Sequence, residues 1–253
     1  MAGRFTPIRF LSGVARSVAW FASTSVRAAR DARRDGDSSN LDYVYASTLS
    51  RGFVRSLGLT YRVKNEERLT ASQPCVYVVN HRSNLDLITL ARIFPPGTIV
   101  IGKKQVLKVP LFGTIFEQGG NITIDRKNRD DARAGFDAAE KAILDDKRSI
   151  WVFPEGTRNH GRKLLPFKKG AFHLARNTGV PLVPIVCAAP DSWIDPKTLY
   201  LAREVFIVIH VLAPIDPAAF GSVDELAAHT WSVMNEALTR AAEELSAGSA
   251  EAR

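Results

Sequence analysis

From residue 60 onward, short apolar runs alternate with longer amphipathic stretches. The apolar runs cover 75–79, 98–101, 121–124, 149–153, 182–187 and 204–212, the length and character of buried strands. Between and after them, apolar residues at helical spacing predict helices over 84–94, 105–117, 129–146, 168–178 and 222–245. Strands alternating with helices imply an α/β domain: a largely parallel or mixed sheet flanked by helices.

The first 60 residues follow a different pattern. On a helical wheel of residues 8–30, Arg9, Arg16, Arg27, Ser12 and Ser23 fall on one side. Phe10, Leu11, Val14, Val18 and Phe21 fall on the other, with Trp20 near the polar face. That arrangement suits a helix lying in a membrane interface, or else a surface helix packed on its own domain. Residues 31–40 are charged and contain Gly and Ser, as a linker does. Leu41, Val44, Tyr45, Thr48, Leu49, Gly52, Phe53 and Leu57 then recur at helical spacing, so 8–57 is expected to form an amphipathic helical hairpin. The expected organisation is a membrane-docking hairpin over 1–59, an α/β domain over 60–245, and a flexible tail over 246–253.

Charge sharpens this picture. The net charge of +8 is uneven, because residues 1–34 hold seven Arg and one Asp. A basic end on a near-neutral body points to an anionic surface as partner. Nucleic acid is disfavoured, since the cations sit on one amphipathic helix and are not interleaved with aromatics along a sheet or groove. The apolar fraction of 45% and charged fraction of 24% are those of a globular protein. No stretch of roughly 18 uncharged apolar residues is present. The arginines interrupt the N-terminal apolar stretch, unlike a signal peptide. The expectation is a peripheral protein at the cytoplasmic face of the membrane. Cys75 and Cys187 lie inside strand-like runs and read as buried, reduced thiols. No Cys/His pairs stand at ligand spacing, so no metal is expected.

Two strings carry candidate chemistry. Asn80 to Asp86 (NHRSNLD) follows one apolar run and offers His81 and Asp86 five positions apart. A histidine is the natural general base near neutral pH, and a carboxylate on its ring fixes the tautomer. The bland alternative is Asp86 in a first helical turn and His81 bonded to backbone. Phe153 to Arg158 (FPEGTR) follows another apolar run. There Gly156 permits a tight turn, Arg158 can grip a phosphate, and Glu155 can position Arg158 or a ligand hydroxyl. The alternative is a turn with a surface Glu–Arg pair. In α/β sheets, sites collect beyond the carboxyl ends of strands, so both strings can share one cleft. Gly119 to Arg126 (GGNITIDR) places a cation at the end of a further strand, and Lys103 and Lys104 follow the strand over 98–101. Lys104 reads as solvated.

With Val183 to Val186 (VPIV), these strings resemble the four sequence blocks of the glycerolipid acyltransferases, most closely the bacterial lysophosphatidate acyltransferases. The resemblance runs from about Gln73 to Ala189 and includes the connectors GKKQVLKVPLFG and GRKLLPFKKGAF. It implies that His81 deprotonates the acceptor hydroxyl while Asp86 holds the imidazole. Lys103, Arg126 and Arg158 would bind the acceptor phosphate, with Glu155, Gly156 and Thr157 shaping that pocket. The implied reaction moves a fatty acyl group from acyl-carrier protein or acyl-CoA to lysophosphatidate, forming phosphatidate. Those thioesters are co-substrates and no cofactor is implied. Glycerol 3-phosphate or a lyso-aminolipid is the alternative acceptor.

Overall fold

A computed structural model describes Ala15, Ala19, Ala22, Ser23 and Val26, then residues 40–109, 112–125, 127–160, 163–190 and 205–251. The five isolated residues are helical. The rest of the first predicted helix, and so the hairpin as a whole, lies outside the described residues.

Among the described residues, seven strands form one sheet in the order β1-β7-β6-β2-β5-β3-β4. They are β1 (Leu59–Lys64), β2 (Val76–Val79), β3 (Thr98–Lys103), β4 (Ile122–Ile124), β5 (Ser149–Val152), β6 (Leu182–Ala188) and β7 (Val205–Val211). β2 pairs in parallel with both β5 and β6, and β3 in parallel with β5 and β4. β7 is antiparallel to β6 and carries β1 parallel to itself, which makes the sheet mixed. Every residue of β2, β5 and β6 is buried. Helices cover both faces of these strands, which is why their sequences are continuous apolar runs with no alternation.

The helices are α1 (Leu41–Leu57), α2 (Arg68–Ala71), α3 (Asp86–Thr89), α4 (Phe112–Gln118), α5 (Arg129–Leu144), α6 (Gly170–Thr178) and α7 (Val223–Glu251). One core joins α5, α6 and α7 to the sheet through Ala139, Ile143, Phe172, Leu174, Leu226 and Met234. A second joins α1, α2 and α3 to the opposite face through Val54, Leu69 and Ile88.

Several elements depart from expectation, each for a local reason. The predicted helix over 84–94 is split into α3 and a 3-10 turn over Ala91–Ile93, and it ends at Phe94, which is extended (φ −66, ψ 119) before Pro95. The predicted helix over 105–117 is a 3-10 turn over Lys104–Lys108 followed by α4. It breaks at Val109, extended (φ −79, ψ 117) before Pro110. In both cases the residue preceding a proline is forced out of the helical region. β1 was not anticipated. The predicted flexible tail over 246–253 is corrected in part, because α7 continues to Glu251. Gly248 lies so close to Phe206 of β7 that a Cβ there would sit 2.5 Å from the ring.

The division at residue 59 also cuts through a packed unit. Leu41 and Tyr45 of α1 form a buried cluster with Ile115 of α4. Asp42 turns inward at the Gly119-Gly120-Asn121 string. The Asn121 side-chain amide donates to both Asp42 oxygens at 3.0 Å, and its oxygen accepts from the Val100 N–H at 2.6 Å. A Cβ on Gly119 would come within 2.3 Å of the Asp42 carboxylate, so a side chain here would displace Asp42 from its present position. The second sequence block thus ties α1 to the sheet.

Burial raises the Asp42 carboxyl to about 6, against the pull of the Asn121 hydrogen bond and the Arg148 charge. A carboxyl whose folded-state value is raised adds stability while protonated and loses it as pH climbs through that value. The melting temperature of Asp42→Asn relative to wild type should therefore rise between about pH 4 and pH 6 and level off above. A difference that stays flat across that window would show that Asp42 is not held in this environment.

Candidate active site

His81 and Glu155 each stand three residues beyond Val78 and Val152, which are paired partners in β2 and β5. Both strings therefore leave the sheet side by side at its carboxyl edge. His81 Nδ1 lies 2.6 Å from Asp86 Oδ2. The same oxygen accepts the backbone N–H groups of Arg82 at 2.6 Å and Ser83 at 3.1 Å. Asp86 is the first residue of α3, so it opens a helical turn while its carboxylate, in place of a backbone group, meets the imidazole. An acceptor-only carboxylate requires a proton on Nδ1, which leaves the Nε2 lone pair free to act as base. The His81 side chain is 19% exposed and that of Asp86 7%, so the pair reaches solvent through the histidine.

Neighbouring elements hold the pair in place. The Phe153 ring stacks on the imidazole with centroids 4.2 Å apart and planes 24° from parallel. The buried Asn80 side chain bridges to β6, donating to Cys187 O at 3.1 Å and accepting from Cys187 N at 2.7 Å. The Arg82 guanidinium donates to Ala189 O at 2.8 Å. Asn159 N donates to His81 O at 2.8 Å and His160 N to Arg82 O at 2.9 Å, so the two residues that follow the third block pair with the first block through the main chain.

The third block splits into two parts. Glu155 turns inward and is only 3% exposed. Burial pushes its carboxyl above the ordinary range, against the N–H groups of His81 and Leu165, the Asn159 amide and the nearby imidazole. Thr157 and Arg158 are exposed on the outer side of the turn. Gly156, at φ +70, makes that reversal, and the Lys168 stem lies 3.3 Å from where its Cβ would be. Lys103 is exposed at the end of β3, on the same sheet edge. Lys104 forms an ion pair with Asp131. Arg126 lies outside the described residues. Burial raises the Cys75 thiol to about 11 and the Cys187 thiol to about 12, so neither is poised as a nucleophile.

The geometry is that of a base with an orienting carboxylate, beside a turn that exposes a cation. An acyltransferase family model matches residues 60–188, which run from within β1 to the end of β6 and include His81, Asp86, Glu155 and Arg158. The chain belongs to the acyltransferase family. Among relatives of this acyltransferase is a 1-acyl-sn-glycerol-3-phosphate acyltransferase of Haemophilus influenzae. It is 35% identical over 206 residues, which cover 79% of this chain and 84% of that one. The Escherichia coli enzyme of the same name is 39% identical over 163 residues, 64% of this chain and 65% of its own. The fold is shared with the crystal structure of the 1-acyl-sn-glycerophosphate acyltransferase PlsC from Thermotoga maritima. That likeness has a TM-score of 0.71 at 20% identity and covers 92% of this chain and 94% of that one.

Sequence reading placed His81 and Asp86 together but gave no role to Asn80, Phe153 or Asn159. Each acts through a bond or ring contact to a residue distant in the chain, and no local spacing marks that. In this acyltransferase His81→Ala should lower turnover by about 10²–10⁴-fold with little change in melting temperature. Turnover within a few-fold of wild type would remove the imidazole from the chemistry.

Proposed function

We propose that this acyltransferase moves a fatty acyl group from an acyl-carrier-protein or CoA thioester to the free hydroxyl of lysophosphatidate, forming phosphatidate. The observation that carries the reading is the His81–Asp86 pair at 2.6 Å, placed at the sheet edge where Lys103 and Arg158 are exposed. The relatives' shared name, 1-acyl-sn-glycerol-3-phosphate acyltransferase, supports the choice of acceptor.

In this reading His81 Nε2 removes the hydroxyl proton as the acceptor oxygen attacks the thioester carbonyl. The new C–O bond gives a tetrahedral oxyanion. Collapse breaks the C–S bond, and the departing thiolate takes the proton from the imidazolium that Asp86 has stabilised. The thioester is already activated, so no acyl-enzyme is needed. Arg158 and Lys103 neutralise the acceptor phosphate, joined by Arg126, with Gly156 and Thr157 shaping the turn. The enzyme docks peripherally on the cytoplasmic face of an anionic membrane, with the basic faces of residues 8–57 as the contact. Among the described residues no helix is long and apolar enough to cross a bilayer.

The deciding experiment is acyl transfer in detergent micelles, with lysophosphatidate and labelled acyl-CoA or acyl-carrier protein, wild type beside His81→Ala. Phosphatidate from wild type only is expected. Product from glycerol 3-phosphate or a lyso-aminolipid, with none from lysophosphatidate, would transfer the same chemistry to another acceptor. Arg158→Ala should raise the acceptor KM about tenfold or more with a smaller effect on kcat. An unchanged KM would remove Arg158 from phosphate binding. Charge reversal of Arg9, Arg16 and Arg27 in the full chain should reduce flotation with anionic liposomes but not with neutral ones. Equal flotation of mutant and wild type would argue against an interfacial helix.

A further inference from the structure

We propose that Glu155 is a positioning residue for the general base: its carboxylate holds the main chain of His81 in place and does not contact the acceptor. The proposal rests on the reading of His81 as base, and it changes the role that the resemblance implies for Glu155.

The Glu155 carboxylate is turned toward protein donors. Its Oε1 accepts from His81 N at 2.7 Å and from the Asn159 side-chain amide at 3.3 Å. Its Oε2 accepts from the same amide at 3.0 Å and from Leu165 N at 2.9 Å. A carboxylate has about four lone-pair sites, and three protein donors, one of them shared by both oxygens, make four contacts with them. At 3% exposure the group faces the protein interior, and its charge would repel a phosphate.

The position of these bonds explains why a carboxylate stands here. The β2–β5 ladder ends at Val78 and Val152, and the β2–β6 ladder at Val79 and Ile185. His81 lies two residues past the last of these rungs. Its backbone N–H would be left without a sheet partner, which a partly buried donor tolerates poorly. Glu155 supplies the acceptor from the neighbouring strand. Asn159 closes the circuit: its N–H donates to His81 O at 2.8 Å while its side chain donates to Glu155. Both main-chain polar groups of His81 are therefore held by one five-residue segment, Glu155 to Asn159, which begins in the third block and ends just past it.

This grip fixes what Asp86 and Phe153 cannot. Asp86 sets the tautomer and pins Nδ1, and Phe153 covers one ring face. Neither determines where the His81 Cα sits, and the Cα sets where Nε2 points. Displacement of a base by about 1 Å can cost about 10²-fold in rate.

The test uses Glu155→Gln in the full-length protein. Glutamine keeps the volume but must turn an NH2 toward at least one of the N–H donors that the carboxylate accepts. We expect kcat to fall about 10²-fold while the acceptor KM stays within about twofold of wild type. The downfield imidazole proton of His81, identified in the NMR spectrum by its loss in His81→Ala, should shift or broaden. A rise in acceptor KM with kcat retained would make Glu155 an acceptor ligand and overturn the proposal. An unmoved imidazole proton with unchanged kcat would overturn it as well. If Glu155→Gln does not fold, Asn159→Ala provides the second variant. It removes the amide bonds to Glu155 and leaves the backbone, so it should move kcat and the imidazole proton in the same direction by less. No movement of either overturns the proposal. The NMR readout needs no substrate, so failure of the lysophosphatidate assay in wild type would count against the function and leave this test standing.

Discussion

Register between β2 and β5 is the constraint on which the site depends. Val78 pairs with Val152, and three residues further along each chain stand His81 and Glu155. On the other side Val78 pairs with Pro184, and three residues beyond that is Cys187, whose main chain is bridged by Asn80. A parallel ladder displaced by one residue would turn buried side chains of β2 to the wrong face of the sheet. It would also carry the His81 N–H away from its acceptor. The apolar packing of two cores therefore fixes the geometry of the candidate site, and the polar groups add local bonds within it.

Legibility in the sequence followed how local each signal is. β2, β5 and β6 were read almost to the residue, because strands covered on both faces are unbroken apolar runs. β1 was missed because Leu-Thr-Tyr-Arg-Val-Lys, an edge strand, buries alternate residues and includes two cations. The helices over 84–94 and 105–117 were read by apolar spacing, which does not register what Pro95 and Pro110 do to the residue before them. The tail was read by composition, yet its small residues let α7 lie close against β7.

The site shows the same division. His81 and Asp86 are five residues apart, and the turn between them closes within the string itself. The orientation of Glu155 was less legible, since facing inward or outward depends on the main chain of His81, 74 residues earlier. The Gly-Gly-Asn string was read for the cation that follows it. In the structure it docks α1, through a carboxylate supplied 79 residues upstream. A pair within one string is more legible than the distant contacts that hold it.

The central position of β2 has a consequence for how the chain assembles. Its four residues are wholly buried, yet its sheet partners lie at residues 150–152 and 182–185. During synthesis this apolar segment emerges long before either neighbour exists. It must wait, unpaired, for about 70 residues until β5 follows, and about 100 until β6 completes its pairing. Pairings of such separation close slowly, because the loop entropy must be overcome before any contact rewards it. A nascent chain stalled in that interval exposes two bare strand edges on an aliphatic core. Its solubility in the cell then depends on what shields Val76–Val79 in the meantime.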